Sequence, residues 1–285
     1  MADVDVYCHW CNYSITVFFK LNNRITYMDQ KQSEQLTLYK YLGIDGAKMM
    51  LYYSDLQYTN ATQFNDPFDS HPGLIDFSNV PPEKCKGWSP EIIKLTESNR
   101  YERYREKTWI CCLSKVCDSL LMWSYYNSHK GVCIGLNMEK VAEYLTPSLG
   151  MVVFNYGFEV QYRDIVEKPD YFRDATDFFR YQMCTKGKAW EHEQEMRLLI
   201  SAPNPNCMAL MPWQNDKDGP IDWKAVRAFP KIGGECFESI YLGVNINKKE
   251  KEKIIKVARE LNPDIRIYQM EIDTNAFRLN ATPIL

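Results

Sequence analysis

Apolar and polar positions alternate, or run together, in short stretches that predict a chain of strands separated by a few helices. Leu36–Tyr41 (LTLYKY) reads as a strand, Gly43–Lys48 as a short turn or helix, and Met49–Tyr53 as an apolar run. Trp109–Leu113 has no polar interruption and suits a buried strand. Asp118 follows as the expected cap of a helix holding Leu121, Met122, Tyr125 and Tyr126. Gly131 opens the strand Val132–Leu136, and a short helix is expected near Met138–Tyr144. The second half predicts β structure in Met151–Tyr162, a helix in Asp170–Met183, and strands at Glu193–Ile200 and Ile240–Val244. A lysine-rich helix at Lys248–Leu261, stopped by Asn262-Pro263, and a last strand at Ile265–Ile272 complete it.

Strands and helices do not alternate regularly enough for a doubly wound parallel sheet. The expected fold is therefore α+β: one mixed, mostly antiparallel sheet, or two small sheets around a cleft, with flanking helices. Ser14–Tyr27 (SITVFFKLNNRITY) reads as two β-rich runs around Asn22-Asn23, a pair suited to a tight turn. This sets residues 1–35 apart as a hairpin extension and 36–285 as a single domain.

Composition narrows the function classes. The 285 residues carry 34 Lys and Arg against 37 Asp and Glu, a net charge of -3, so no global cationic field marks a nucleic-acid binder. No apolar run approaches the roughly 18–20 residues of a membrane span, and the opening MADVDVYCHW lacks the pattern of a secretion signal. A cytoplasmic location is expected, in which the ten cysteines stay reduced and Cys111, Cys112, Cys133 and Cys184 serve as small core residues. Cys8-His9-Trp10-Cys11 has the spacing of half a zinc site. A second half would need Cys112 and Cys117, or His71 and Cys85, brought over by the fold. P-loop, dinucleotide, zincin and nucleophile-elbow motifs do not occur.

Four stretches carry the chemistry. In Glu193–Ile200, a strand would place Glu193, Glu195, Arg197 and Leu199 on one face and Gln194, Met196, Leu198 and Ile200 on the core face. Two carboxylates about 6.5–7 Å apart can grip a sugar diol; equally, Arg197 can neutralise them on a solvated face. Asn65-Asp66-Pro67-Phe68-Asp69 puts acids and an amide in a turn, either bonding its own backbone or meeting the glutamates. In the latter case Asp66, Asp69, Glu193 and Glu195 would suit Mg²⁺ or Mn²⁺ in a phosphodiesterase or nuclease. Trp123 and Tyr126 belong either to the core or to a pocket where a base stacks, with His129 and Lys130 at its mouth. Trp190 and Lys186 or Lys188 precede the acidic strand, where a lysine could meet a pyrophosphate or solvate the turn.

Leu38-Tyr39-Lys40-Tyr41, Phe64–Asp69, Leu121–Tyr126 with His129-Lys130-Gly131, and Trp190-x-x-Glu193-x-Glu195-x-Arg197 together resemble the bacterial family catalogued as domain of unknown function 2971, over about Leu36–Leu261. That family implies no activity. The order of Lys40 or Tyr41, Ser114 and Glu195 also resembles that of ADP-ribosyltransferases, although those carry Arg or His at the early position. This second resemblance implies NAD as co-substrate, in a transferase or glycohydrolase. Glu195 would hold a ribose hydroxyl and stabilise positive charge as nicotinamide leaves, with Glu193 orienting or deprotonating the acceptor. The cleft would be formed by Ser114, Tyr41, Lys40 and Tyr126, with Asn65, Asp66, Trp123, His129, Lys130, Trp190 and Arg197 as further candidate substrate- or cofactor-binding residues. A non-catalytic module binding a nucleotide or a protein is the third reading.

Overall fold

The run TWICCLS has no polar position between its first and last residues, and it forms a strand buried along nearly its whole length, around which the sheet is arranged. In chain order the strands are β1 (Thr37–Leu42), β2 (Tyr58–Asn60), β3 (Thr108–Ser114), β4 (Val132–Asn137), β5 (Phe154–Glu159), β6 (Gln161–Arg163), β7 (Thr185–Gly187), β8 (Glu195–Ser201), β9 (Arg227–Ala228), β10 (Phe237–Leu242), β11 (Arg266–Ile272) and β12 (Leu279–Pro283). The helices are α1 (Ile44–Tyr53), α2 (Leu120–Asn127), α3 (Met138–Leu145), α4 (Phe178–Met183) and α5 (Lys248–Leu261). The structure is a computed structural model that describes residues 36–81, 83, 86–91, 93–94, 104–145, 154–201 and 227–284. The chain divides into two units, Met1–Gln35 and Leu36–Leu285. The expected hairpin at Ser14–Tyr27, and Cys8, Cys11 and Cys85, lie outside the described residues.

Ten strands form one sheet in the order β12-β11-β10-β4-β1-β3-β2-β9, with β8 on β3 and β5 on β8. Its pairs are antiparallel except β10 with β11, and β6 and β7 form a separate parallel pair. The fold is α+β, with a mostly antiparallel mixed sheet and flanking helices. At β3 the sheet forks. One edge of β3 pairs with β8 from Thr108 to Ser114, while the other edge is shared between β2, at Ile110 and Trp109, and β1, at Ser114 alone.

Alternation along the strands builds a core on each face. Leu38, Trp109, Cys111, Leu113, Ile134, Leu136, Leu198, Ile200 and Ile240 face α1, α3 and α5, which contribute Leu51, Val141 and Ile254. On the other face Tyr41 and Cys133 pack under Met122 and Trp123 of α2, and Ile110 and Leu199 pack with Met183 and Cys184 at the end of α4. Burying both faces of β3 and β8 makes the second face of the acidic strand an interior surface.

Several expected elements are redrawn. Met49–Tyr53 continues the helix begun at Ile44 instead of forming its own segment. Ser119, not Asp118, caps α2, its hydroxyl accepting the Met122 N–H at 3.4 Å. The helix expected over Asp170–Met183 is confined to Phe178–Met183. Asp170 binds the Phe172 N–H and Asp174 binds the Asp170 N–H, so these side chains satisfy the backbone in turns, and Asp177 caps the short helix that follows. β8 starts at Glu195, since Gln194 is left-handed (φ 44°) and ends the 3₁₀ turn Lys188–Glu193. The chain returns after Ile272 as β12, a strand beyond those expected. Among the described residues, no helix is long and apolar enough to cross a membrane.

Gly131 fixes the passage from α2 to β4. A Cβ there would lie 2.2 Å from the Leu42 carbonyl oxygen and 2.6 Å from the Asn127 side chain. The carbonyl is backbone and cannot rotate away, so Gly131→Ala is expected to cost about 1–3 kcal/mol in a urea denaturation series. A change below about 0.5 kcal/mol would show that this crossing is not close.

Candidate functional site

The turn Phe64–Asp69 is built by its own side chains: Asp66 Oδ1 accepts the Phe68 N–H at 3.0 Å and its carbonyl accepts the Asp69 N–H at 3.1 Å. Asp66 is thereby a buried turn former and Asn65 is exposed, so neither reaches the glutamates. Asp69 does. Its two oxygens receive Arg197 Nη1 at 2.8 Å and Nη2 at 2.6 Å, a bidentate fork between residues 128 positions apart. Arg197 is 1 % exposed; it also donates to the Met183 carbonyl at 2.6 Å and lies 5.4 Å from the Phe64 ring centre.

Glu195 is next to it on β8. Arg197 Nε holds Oε1 at 2.8 Å, while Arg197 Nη2 at 3.2 Å and Lys186 Nζ at 3.1 Å hold Oε2. Its N–H donates to the Tyr162 hydroxyl at 2.9 Å. Burial would push the Glu195 carboxyl up, but the two cations and the hydrogen bonds prevail and take it down to about 2. Lys186, brought in by β7, lies 2.5 Å from Glu193 Oε2 and 3.7 Å from Asp69 Oδ2, with its ammonium 5.1 Å from the Trp190 ring centre. Burial opposes its charge, yet Glu195, Asp69 and Glu193 hold the ammonium well above the usual lysine range. Arg197 is raised likewise against its own desolvation by Glu195 and Asp69. Three carboxylates and two cations thus share one buried network, with a formal charge of -1.

Glu193 is the member closest to solvent through its partner. Its main chain is pinned by Ser114, whose hydroxyl donates to the Glu193 carbonyl at 2.7 Å. Its Oε1 receives the Tyr126 phenol at 2.5 Å. Glu193 is 2 % exposed, whereas Tyr126 is 48 % and Tyr125 66 % exposed. Burial first, and then Glu193, push the Tyr126 hydroxyl well above the usual tyrosine range, so it remains a donor. Tyr125, His192 and Trp190 continue the rim as a line of rings, 5.7 Å and 6.2 Å between successive centres.

The expected site is thus partly assembled. Glu193, Glu195, Arg197, Ser114, Tyr126 and Trp190 converge, although through a kinked turn and not along one strand face. The face expected to be solvated is interior, because Arg197 finds Asp69 there. Lys40 instead donates to the Cys112 carbonyl at 2.8 Å, bridging the fork where β1 leaves β3. Tyr41 is a core residue whose hydroxyl donates to the Val116 carbonyl at 2.9 Å, and Trp123, fully buried, donates from its indole to the Cys117 carbonyl at 2.8 Å. His129 lines a different groove of about 480 Å³, with Leu120, Asn245 and the turn joining β11 to β12, while Lys130 is exposed. Tyr162 has no signal in the sequence, and Lys186 and Asp69 take roles here other than those their motifs suggest; the lysine four residues before Trp190 is the available signal.

For a metal, the donor set is already filled. The Lys186 ammonium occupies the point on which Asp69, Glu193 and Glu195 converge, and no group of three or more His, Cys, Asp or Glu side chains among the described residues could hold an ion. His71, weighed as a zinc ligand, accepts the Gly73 N–H through Nδ1 at 2.9 Å.

No curated protein and no solved structure matches the chain. The model of the family described as "Protein of unknown function (DUF2971)" matches residues 122–198, from α2 to β8. That span holds Tyr126, Lys186, Trp190, Glu193, Glu195 and Arg197, while the early motifs Leu38–Tyr41 and Phe64–Asp69 lie outside it. Through the segment that carries most of the ionic network and its aromatic rim, the chain is similar to the DUF2971 family.

Proposed function

We propose that this chain is a non-catalytic nucleotide-binding module, with the rim of Tyr125, Tyr126, Trp190 and His192 as its recognition surface and the ionic network as its rigid floor. The observation that carries this reading is the saturation of Glu195: both oxygens are held by Arg197 and Lys186, and the residue is 3 % exposed. An ADP-ribosyltransferase or NAD glycohydrolase would need that carboxylate to face a developing charge on substrate. Here its field is spent on two internal cations. A metal-dependent phosphodiesterase would need the position that Lys186 fills. Exposed aromatic rings over a fixed polar floor suit a flat ligand bearing hydrogen-bond donors.

The test is a thermal-shift titration with nucleoside monophosphates and NAD, with and without Mg²⁺, alongside detection of free nicotinamide. Saturable stabilisation is expected, equivalent to about 2.7 kcal/mol at a hundredfold excess over Kd, without turnover. Nicotinamide release that disappears in Glu195→Gln would overturn the reading in favour of NAD chemistry. Failure of every nucleotide to stabilise the protein would overturn it outright.

A further inference from the structure

We infer that Tyr126 is a displaceable latch on Glu193, and that the ligand replaces its phenol with a ribose hydroxyl, which makes a ribonucleotide with a free vicinal diol the class this site takes. The inference rests on the nucleotide-binding reading above.

The two partners of this hydrogen bond differ in freedom. Glu193 is fixed on every side: Ser114 holds its carbonyl, Lys186 holds Oε2, and its side chain is buried. Tyr126 is half exposed on the outer side of α2, so its ring can rotate outward with little loss of packing. An immobile anionic acceptor satisfied by a mobile neutral hydroxyl is a preformed place for another neutral hydroxyl.

Electrostatics narrow the replacement. A phosphate would meet the excess negative charge of the network. An ammonium would meet Lys186, which already occupies the other oxygen of the same carboxylate and the neighbourhood of the Trp190 ring. A hydroxyl meets neither penalty, and a bond to a charged acceptor in a buried setting is worth more than a neutral one.

A second acceptor lies one residue away. His192 Nδ1 is 3.1 Å from the Ala189 carbonyl, and in the tautomer that donates this bond Nε2 is an acceptor; among the described residues Nε2 is buried and has no hydrogen-bond partner. A vicinal diol offers two donors, and the rings of Tyr125 and Trp190 offer the base a surface.

The experiment compares the four ribonucleoside 5′-monophosphates with their 2′,3′-dideoxy counterparts, and with D-ribose, by calorimetric titration of the wild type and Tyr126→Phe. The dideoxy compounds are expected to bind at least about tenfold more weakly, since each loses a hydrogen bond to a charged acceptor. Tyr126→Phe is expected to bind the ribonucleotides several-fold more tightly, because no phenol has to be displaced. A structural role for the hydroxyl would not produce that gain. Equal affinity for both sugars, or weaker binding by Tyr126→Phe, overturns the latch and leaves the nucleotide reading standing. D-ribose binding as tightly as the nucleotides overturns the ligand class, and absence of binding by every nucleotide overturns both.

Discussion

Arg197→Met is expected to lower the unfolding free energy by about 3–5 kcal/mol at neutral pH. The reason is the company Arg197 keeps. Its removal leaves Asp69 and Glu195 buried, with Lys186 alone to compensate, and leaves the Met183 carbonyl without its donor. Breaking one partner of a buried pair costs far more than the pair itself contributes, because the surviving charge remains desolvated. Arg197→Lys separates charge from geometry. A lysine keeps the positive charge but cannot present a planar fork to Asp69, so it is expected to recover only part of the loss, about half. Urea denaturation followed by circular dichroism measures both. Adding Asp69→Asn to Arg197→Met should cost less than the sum of the single substitutions, as both act on one contact. A loss below about 1 kcal/mol for Arg197→Met would mean that the network is open to water and that its charges are screened.

The same contact shows what the sequence could and could not convey. The spacing Glu193-x-Glu195-x-Arg197 announced that two carboxylates and a guanidinium would be neighbours, and they are. It could not announce that the charged face was interior. That depends on Asp69, which reaches Arg197 from a turn 128 positions earlier, and on Lys186, which arrives on a three-residue strand with no alternation to detect. Long-range charge pairing of this kind has no local signature, so the polar residues of β8 read as a solvated face.

Where local physics decides, the sequence was readable. Lys248–Leu261 forms a helix at the expected bounds, because its apolar spacing is helical, Asn247 caps its start and Asn262-Pro263 stops it. By contrast, Asp170–Asp177 has helical composition but carries aspartates that bind their own backbone, while Phe77, Tyr171 and Phe178 pack into a separate aromatic cluster. Short strands such as β2 and β9 form on edges supplied from elsewhere in the chain, β2 on β3 and β9 on β2. Tyr41 and Trp123 read equally as pocket residues in the sequence because aromatics serve cores and ligands alike. Their packing against each other is settled by the alternation of β1 and β4, which puts Tyr41 and Cys133 on the face that α2 covers with Trp123.

Acid is expected to weaken the fold through Glu195 in a defined window. Its carboxyl is held at about 2 in the folded chain against an ordinary value of 4.5. A depressed folded value means that the unfolded chain takes up the proton first as pH falls. The stability contributed by the charged form is therefore complete above about 4.5 and is lost progressively on the way down to about 2. At about 1.4 kcal/mol per unit, the loss is on the order of 3 kcal/mol over that range. Lys186 behaves in the opposite sense: its folded value is raised, so its contribution is complete below the ordinary lysine value and declines only in strong alkali. Urea midpoints measured from pH 7 to pH 2 test the acid side. Glu195→Gln should start lower at neutral pH, since Arg197 and Lys186 then lose a shared counter-charge, and should follow a flatter line, so that the two proteins converge near pH 2. An unchanged slope in Glu195→Gln would assign the acid sensitivity to other carboxylates. Convergence would identify Glu195 as an anion held for its structural partners, the role that the binding reading requires of it.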